Sequence, residues 1–200
     1  GFVLCYLLSS RVMVVIEAYG TPVQLTEPFL WTFGDASSIL LSSVLLLLLF
    51  SDLPQMSSAT PYYLYRTTKK VWLLGQMAYV ICAAALYTVF LFLATVFLCM
   101  KHSYIGNIWS DTAAMLAYSK LGEELSVPST VKVMESITPY GCMAQVLLLL
   151  FLYILCLSFL ILAGNLAFGA NRGMILGLAF SMYGFLLEPK VLGALLQMEE

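Results

Sequence analysis

Charged residues are scarce in this sequence. Of its 200 residues, only 10 % are Asp, Glu, Lys or Arg, whereas 62 % are hydrophobic, and the mean hydropathy is +0.94. A soluble domain carries about 25 % charged residues, and a globular core of this chain length cannot hide so much apolar surface from water. The composition therefore excludes an ordinary soluble protein. It predicts a membrane-integral protein whose main surroundings are the lipid bilayer, with no nucleic-acid partner.

Residue types that carry out chemistry are also few. His102 is the single histidine and no Cys/His cluster surrounds it, which argues against a zinc site. No G-x-x-x-x-G-K-[ST] motif is present, so the chain cannot cradle ATP phosphates. Glu123 and Glu124 resemble the paired glutamates of CAAX-type intramembrane proteases, but "EELSVPS" lacks the arginine, and the later helices lack the histidines, of those enzymes. We therefore predict a chain that is not an enzyme and holds no cofactor.

Five apolar runs are long enough, or nearly so, to cross the hydrocarbon layer, which takes about 20 helical residues. They cover about residues 2–18, 29–50, 71–100, 143–168 and 174–187. The predicted fold is all-α: a polytopic membrane helix bundle forming one transmembrane domain over residues 1–200. Five spans are visible, and we expect the chain to continue at both ends, with a sixth span after Glu200.

The cations are distributed unevenly among the segments that join these runs. Residues 51–70 contain Arg66, Lys69 and Lys70, and the short turn "GANRG" contains Arg172. The alternation of spans puts these two segments on one side of the membrane and residues 20–28 and 101–140 on the other. Because Lys and Arg in short loops mark the cytoplasmic side, loop 51–70 is predicted to be cytoplasmic and loop 101–140 extracellular.

The stretch "YYLYRTTKKVWLLGQMAYV" begins in that cytoplasmic loop. Helical placement after Pro61 puts aromatic and basic side chains on neighbouring turns; they are Tyr62, Tyr65, Arg66, Lys69 and Lys70. One interpretation is that the cations only fix the orientation of the chain, with the tyrosines at the membrane interface. The other is a helix that docks a soluble partner, with tyrosines as anchors and cations as steering charges.

The order of these parts resembles that of ABC-2 type transporter permeases. The pattern "LLLLLFSDLPQ … YLYRTTKKVWLLGQMAYV", followed by "NIWSDTAAMLAYS", is similar to the permease subunits of bacterial ABC-2 exporters. The segment "EPKVLGALLQ" is similar to the short extracellular helix before their last span. The resemblance implies a bacterial plasma membrane, a coupling helix over residues 61–70 that fits a groove of an ABC ATPase subunit, and a second permease subunit in a homo- or heterodimer. ATP and Mg²⁺ belong to the ATPase subunit.

Further polar features lie within or beside the spans. Arg11 and Asp35 have similar predicted depths on adjacent helices, and we expect an intramembrane charge pair, either locking two helices together or acting in cargo contact or gating; the alternative is a fully wet Asp35. Ser110 is predicted to cap an amphipathic helix reaching to about Leu121 on the outer face. Asn165 is expected to bond across helices, and residues 173–177 form a G-x-x-x-G packing face.

These features together favour a transmembrane permease subunit of an ATP-driven exporter of an amphipathic or lipophilic substrate, such as a peptide or a drug-like molecule. The few charges within the bundle are the reason to expect such a cargo rather than a small ion. The alternative function is that of a non-transporting accessory or sensor subunit whose extracellular loop binds a partner.

Overall fold

The computed structural model describes residues 5–7, 10, 13–14, 20, 22–54, 68–118, 131–169, 172–188 and 192–193. This part of the chain is mostly helical. In chain order its elements are β1 (Val23–Gln24), α1 (Glu27–Phe33), α2 (Ala36–Leu49), α3 (Lys69–Cys99), a 3₁₀ turn (Met100–His102), β2 (Ser103–Tyr104), α4 (Asp111–Tyr118), α5 (Val131–Ser136), α6 (Pro139–Phe168) and α7 (Arg172–Leu186).

The two longest helices, α3 and α6, are long and apolar enough to cross a membrane. They have 31 and 30 residues and coincide with the predicted spans 71–100 and 143–168. Large apolar side chains on both are exposed, among them Leu86 (72 %), Phe97 (69 %) and Leu149 (66 %). Apolar surface of this extent is unfavourable in water at about 25 cal/mol per Å². The helices therefore indicate a membrane protein, as the composition predicted.

The run predicted as one span over residues 29–50 is two helices. α1 ends at Phe33, α2 begins at Ala36, and their axes differ by 81°. Gly34 and Asp35 between them are poor helix formers, and Asp directly before a helix is a preferred capping residue type. The sequence of this turn therefore favours ending one helix and starting another, and the structure differs here from the continuous helix that was predicted.

The remaining predicted spans are described only in part. α7 covers residues 174–186 of the predicted span 174–187, but its 15 residues are shorter than a full crossing. Of the first predicted span, residues 5–7, 10 and 13–14 are helical, and the others lie outside the described residues. Within the predicted loop 101–140, α5 and the two-residue strand β2 were not expected.

The chain divides into two compact units. The first comprises Gly1–Ile39 and Thr88–Leu150, and the second Leu40–Tyr87 and Phe151–Glu200. In the first unit, Phe29 is fully buried and its ring contacts those of Phe33 and Phe92 at centroid distances of 5.1 and 5.2 Å. In the second, α2, α6 and α7 bury Leu46, Leu157 and Ile161 completely or nearly so, and side chains hydrogen-bond between helices. The Tyr87 hydroxyl donates to the Ser42 carbonyl at 2.8 Å, and the Ser43 and Tyr153 hydroxyls lie 3.0 Å apart.

Candidate functional site

The predicted docking residues are only partly described. Lys69 and Lys70 are exposed and are the first two residues of α3; Thr68 before them is not helical. Most of the predicted coupling helix over residues 61–70 lies outside the described residues, so it stays a prediction. Tyr62, Tyr65 and Arg66 lie outside the described residues. Because the N-terminus of a helix carries partial positive charge, two lysines there do not stabilise α3, and their charge is available to an anionic surface.

The predicted pair of Arg11 and Asp35 is likewise half described. Asp35 is partly buried and lies in the turn between α1 and α2, where its carbonyl accepts a hydrogen bond from the Ile39 amide at 3.2 Å. Arg11 is outside the described residues. The pairing of the two charges stays a prediction.

Near the end of α6, the Asn165 side chain joins three segments of the second unit. Its Nδ2 donates to the carbonyl oxygen of Leu53, four residues beyond α2, and its Oδ1 accepts from the amide of Gly173 in α7 at 2.8 Å. Asn165 is 6 % exposed. The structure confirms the expectation that this amide bonds outside its own helix, and we call Asn165, Leu53 and Gly173 the Asn165 clamp.

Glycine is required at position 173 of the clamp. A Cβ atom built there lies 2.1 Å from the carbonyl oxygen of Ile161, a distance that no real Cβ contact shows. Gly177, one turn later, is similarly close to Leu47, with 2.6 Å from its added Cβ to a Leu47 methyl. Gly173, Gly177 and Ser181 are the buried residues of α7, so a stripe of small residues provides its packing face, as the G-x-x-x-G pattern predicted.

In the first unit, the carboxylate of Glu27 collects hydrogen bonds from two segments that are far apart in sequence. Oε1 accepts from the Ser110 amide at 2.8 Å, and Oε2 accepts from the Ser110 hydroxyl and, at 3.3 Å, from the Gln24 amide. Glu27 is fully buried. The Ser110 hydroxyl in turn accepts from the Ala113 amide at 3.1 Å. Ser110 therefore caps α4, as predicted, while also binding Glu27.

Gln24 extends this cluster. Its Nε2 donates to the Gly106 carbonyl at 3.0 Å, and its Oε1 accepts from the Thr26 amide at 2.8 Å. The strands β1 and β2 pair in parallel, with Val23 opposite Ser103 and Gln24 opposite Tyr104. We call Glu27, Ser110, Gln24 and Thr26 the Glu27 cluster. It fixes residues 22–27 against residues 103–113.

Burial sets the electrostatics of this cluster. Glu27 precedes the second predicted span, which begins at Phe29, and desolvation raises the pKa of its carboxyl, although the bonds from Ser110 and Gln24 act in the opposite direction. The pKa of Tyr104 is also raised, by burial first and then by the negative charges of Glu27 and Asp111. A buried carboxylate is tolerated when hydrogen-bond donors replace its water, and here three donors do so.

A cavity of about 60 Å³ lies in the same unit. Its walls are almost wholly apolar and come from α1 and the turn after it, α5, the start of α6 and the segment before α4; they include Leu30, Trp31, Gly34, Trp109, Val133 and Val146. We call it the Trp31 cavity. The two indoles differ in their hydrogen bonding. Nε1 of Trp109 donates to the Ile137 carbonyl at 3.0 Å, whereas Nε1 of Trp31 is buried without an acceptor. Leaving such a donor unpaired costs about 1–3 kcal/mol.

The described part of the chain contains neither a metal-ligand cluster nor a disulfide. No group of three or more His, Cys, Asp or Glu residues there could hold a metal ion. All five cysteines lie within the described ranges and are free thiols: Cys5, Cys82, Cys99, Cys142 and Cys156.

Three comparisons with known proteins found no match for this chain. No family model matches it, and no curated protein and no solved structure is similar enough to count as a match. The resemblance to ABC-2 permeases therefore stays a prediction.

Sequence reasoning missed the Glu27 cluster and the Trp31 cavity. Glu27 looked like one acid in a short aqueous segment, and its main partner, Ser110, is 83 residues away in sequence. The one available signal was "TEP", in which an acidic residue precedes a proline at a helix start, and that pattern does not name a partner.

Proposed function

We propose that this chain is the transmembrane permease subunit of an ATP-driven exporter of the ABC-2 type in a bacterial plasma membrane. It crosses the membrane five times over these 200 residues, and residues 51–70 face the cytoplasm. It works with a second permease subunit and with ABC ATPase subunits that bind ATP and Mg²⁺. Its cargo is amphipathic or lipophilic.

The best support for this topology comes from the pairs of connecting segments that contact each other. Residues 23–27 contact residues 103–110 through β1, β2 and Glu27, and two predicted spans separate these segments. Leu53 and Gly173 share the side chain of Asn165, and again two predicted spans separate them. An even number of crossings returns a chain to the side from which it started. Both sets of contacts therefore agree with the predicted alternation.

The start of α3 supports an anionic contact at the predicted cytoplasmic loop. Lys69 and Lys70 are exposed at a helix end whose partial charge is already positive. Phospholipid headgroups and an acidic groove on an ATPase subunit both offer the negative charge that this end lacks.

The Asn165 clamp suggests how motion of a docked ATPase reaches the bundle. Leu53 lies at the start of loop 51–70, and the bonds of Asn165 join it to α6 and to the first turn of α7. When ATP closes the ATPase pair, a displacement of the loop pulls on the Leu53 carbonyl. The clamp then carries that displacement to two helices rather than to one.

Co-purification tests this proposal. The full-length protein is isolated in mild detergent from its native host, and associated proteins are identified and assayed for ATP hydrolysis. The test variant is R66E/K69E/K70E, and the matched control is K101E/K120E/K132E, which reverses three cations predicted to lie outside. We expect an ABC ATPase with the native chain and the control, and at least a tenfold loss with the test variant. Absence of any ATPase from the native sample would refute the proposal.

A non-transporting accessory or sensor subunit is the second candidate. It is favoured by exposed apolar side chains within residues 105–118, namely Ile105 (83 %), Ile108 (75 %) and Tyr118 (78 %). If this candidate is correct, an I105S/I108S variant will lose a partner protein bound to residues 101–118, and no ATPase will accompany the native chain. Retention of every associated protein by that variant would exclude it.

A further inference from the structure

We propose that residues 104–109, which we call the Ile105 loop, bind the lipid bilayer at the membrane surface where α3 ends. The side chains of Ile105 and Ile108 insert between the lipids of that leaflet, so the partner of this surface is lipid and not a second protein. The inference requires α3 to cross the membrane. It does not depend on the permease proposal, because it involves neither cargo nor an ATPase.

The two isoleucines of the loop are unusually exposed for their size. Ile105 is the most exposed large apolar residue in the described part of the chain, and Ile108 is close behind it. Transfer of an isoleucine side chain from water to apolar surroundings favours the buried arrangement by about tenfold or more. Two such side chains on one short loop therefore favour an apolar partner outside the first unit.

Hydrogen bonds within the first unit fix the backbone of the loop. The Leu25 amide donates to the Tyr104 carbonyl at 3.0 Å, and Nε2 of Gln24 donates to the Gly106 carbonyl at the same distance. The Tyr104 hydroxyl donates to the Ile108 carbonyl at 2.9 Å. Three carbonyl groups of the loop therefore have donors from the protein itself, while the two isoleucine side chains stay outside.

These bonded carbonyls favour lipid as the partner. A backbone carbonyl without a donor is costly away from water, and irregular backbone rarely faces lipid for that reason. In the Ile105 loop, three of these groups can leave water without losing a hydrogen bond. A protein that added a strand or a peptide would instead use unpaired backbone groups. The loop therefore suits the non-directional apolar contact that lipids provide.

The position of the loop brings it to the membrane surface. Phe97 and Met100, at the end of α3 and the start of the 3₁₀ turn, are 69 % and 60 % exposed, so the apolar face of α3 continues to its end. The exposed Lys101 and His102 follow, as polar residues do where a span enters the headgroup layer. Ile105 is five residues beyond Met100, at most about 18 Å of extended chain. The loop and α3 therefore present apolar surface to the same leaflet.

Spin-label accessibility in nanodiscs tests the proposal. A nitroxide is attached to I105C or I108C, and its collision rates are measured with molecular oxygen, which concentrates in lipid, and with a water-soluble nickel chelate. The matched control is E135C, at an exposed position of α5 in the same unit. All variants carry C82A/C156A, which removes the two exposed native cysteines, and the protein with these two changes alone supplies the background signal. The nanodiscs contain phosphatidylcholine and no other membrane protein.

We expect the ratio of oxygen collisions to chelate collisions to be about tenfold higher for I105C and I108C than for E135C, in proportion to the preference of one isoleucine for apolar surroundings. Each labelled variant should keep the helical circular dichroism of the native protein. A ratio for I105C and I108C equal to that of E135C would overturn the proposal, because both labels would then lie in water although lipid is the only partner offered.

A second set of nanodiscs separates lipid from a protein partner. The labelled variants are reconstituted together with the total membrane extract of the native host. Contact with lipid predicts the same high ratio of oxygen to chelate collisions as in phosphatidylcholine alone. If a protein covers the loop instead, collisions with both reagents will become rarer in the presence of the extract. That result would overturn the proposal in favour of the accessory or sensor subunit, and neither result depends on whether an ATPase co-purifies.

Discussion

The two polar clusters of this protein solve the same problem with different chemistry. Each holds together segments that are far apart in the sequence, and each is buried in largely apolar surroundings. The Glu27 cluster uses a carboxylate that only accepts hydrogen bonds and depends on Ser110 and Gln24 to supply them. The Asn165 clamp uses one neutral amide that donates to Leu53 and accepts from Gly173.

This difference determines which kind of change would disrupt each cluster. A buried charge is expensive unless several donors surround it, so the Glu27 cluster depends on its protonation state and on every donor. An amide balances its own donor and acceptor, so the clamp depends mainly on close approach, and the absence of a side chain at Gly173 provides it. One cluster is therefore sensitive to charge and pH, and the other to volume.

Removing the carboxylate should have the largest effect. We expect Glu27→Ala to lower the free energy of unfolding by about 3 kcal/mol, because it leaves the Ser110 and Gln24 donors buried without an acceptor. Glu135→Ala, at an exposed position of α5, is the control and should change stability by less than about 0.5 kcal/mol. Denaturation in mixed micelles measures both. Equal effects for the two variants would mean that the Glu27 bonds contribute nothing.

Adding one methyl group to the Asn165 clamp should have the second-largest effect on stability. Gly173→Ala is expected to destabilise the protein by about 2 kcal/mol, because the backbone of α6 must move away from the new Cβ. Gly184→Ala, in the same helix but with nothing within 4 Å of the added Cβ, should be neutral or stabilising by up to about 1 kcal/mol. A comparable loss of stability in both variants would show that helix propensity, not close packing, determines the effect of substitutions in α7.

Replacing the amide tests the polar half of the clamp. Asn165→Leu keeps most of the side-chain volume but removes both hydrogen bonds, and we expect a loss of about 1.5 kcal/mol. The same micelle denaturation measures it, and a limited-proteolysis assay of residues 51–54 should show faster cleavage after the Leu53 carbonyl loses its donor. Unchanged cleavage together with unchanged stability would contradict a clamp.

The dependence of stability on pH should distinguish the Glu27 cluster from the Asn165 clamp most selectively. It is also the smallest of the expected effects. Because burial raises the pKa of Glu27 in the folded state above its ordinary value of 4.5, the folded state binds a proton more readily than the unfolded state. Its contribution to stability is then full below about pH 4.5 and declines as pH rises through the folded-state pKa. The difference in unfolding free energy between native protein and Glu27→Gln, measured from pH 4 to 8, should follow this course, whereas Asn165→Leu should differ from the native protein by a constant amount.

Local sequence signals predicted the parts of these clusters that depend on local structure. The Ser110 cap, the small-residue face from Gly173 to Gly177 and the outward bond of Asn165 each follow from residue type and helical spacing. The long apolar runs predicted α3 and α6 for the same reason. Such features need no knowledge of what lies across the fold.

The Glu27 cluster and the Trp31 cavity could not be predicted in this way. Glu27 meets Ser110 next to the pairing of β1 with β2, and a two-residue strand leaves no alternation to detect. The cavity arises where four segments fail to fill the space around Trp31, and voids depend on side-chain packing that no spacing pattern encodes. The break at Gly34 and Asp35 was also missed, because the apolar residues on either side resemble one continuous run.

If α2 crosses the membrane as proposed, its length and that of α6 predict a bilayer of uneven thickness around this protein. At 1.5 Å per residue, the 30 residues of α6 extend about 45 Å, whereas the 14 residues of α2 extend about 21 Å. The hydrocarbon layer is about 30 Å thick, so one helix exceeds it and the other falls short. A helix longer than the hydrocarbon layer favours tilting, as at α6. A helix shorter than the layer favours local thinning of the bilayer, as at α2. Lipids with short acyl chains should therefore suit the neighbourhood of α2, and the acyl-chain length of the host membrane becomes a variable that acts on the protein.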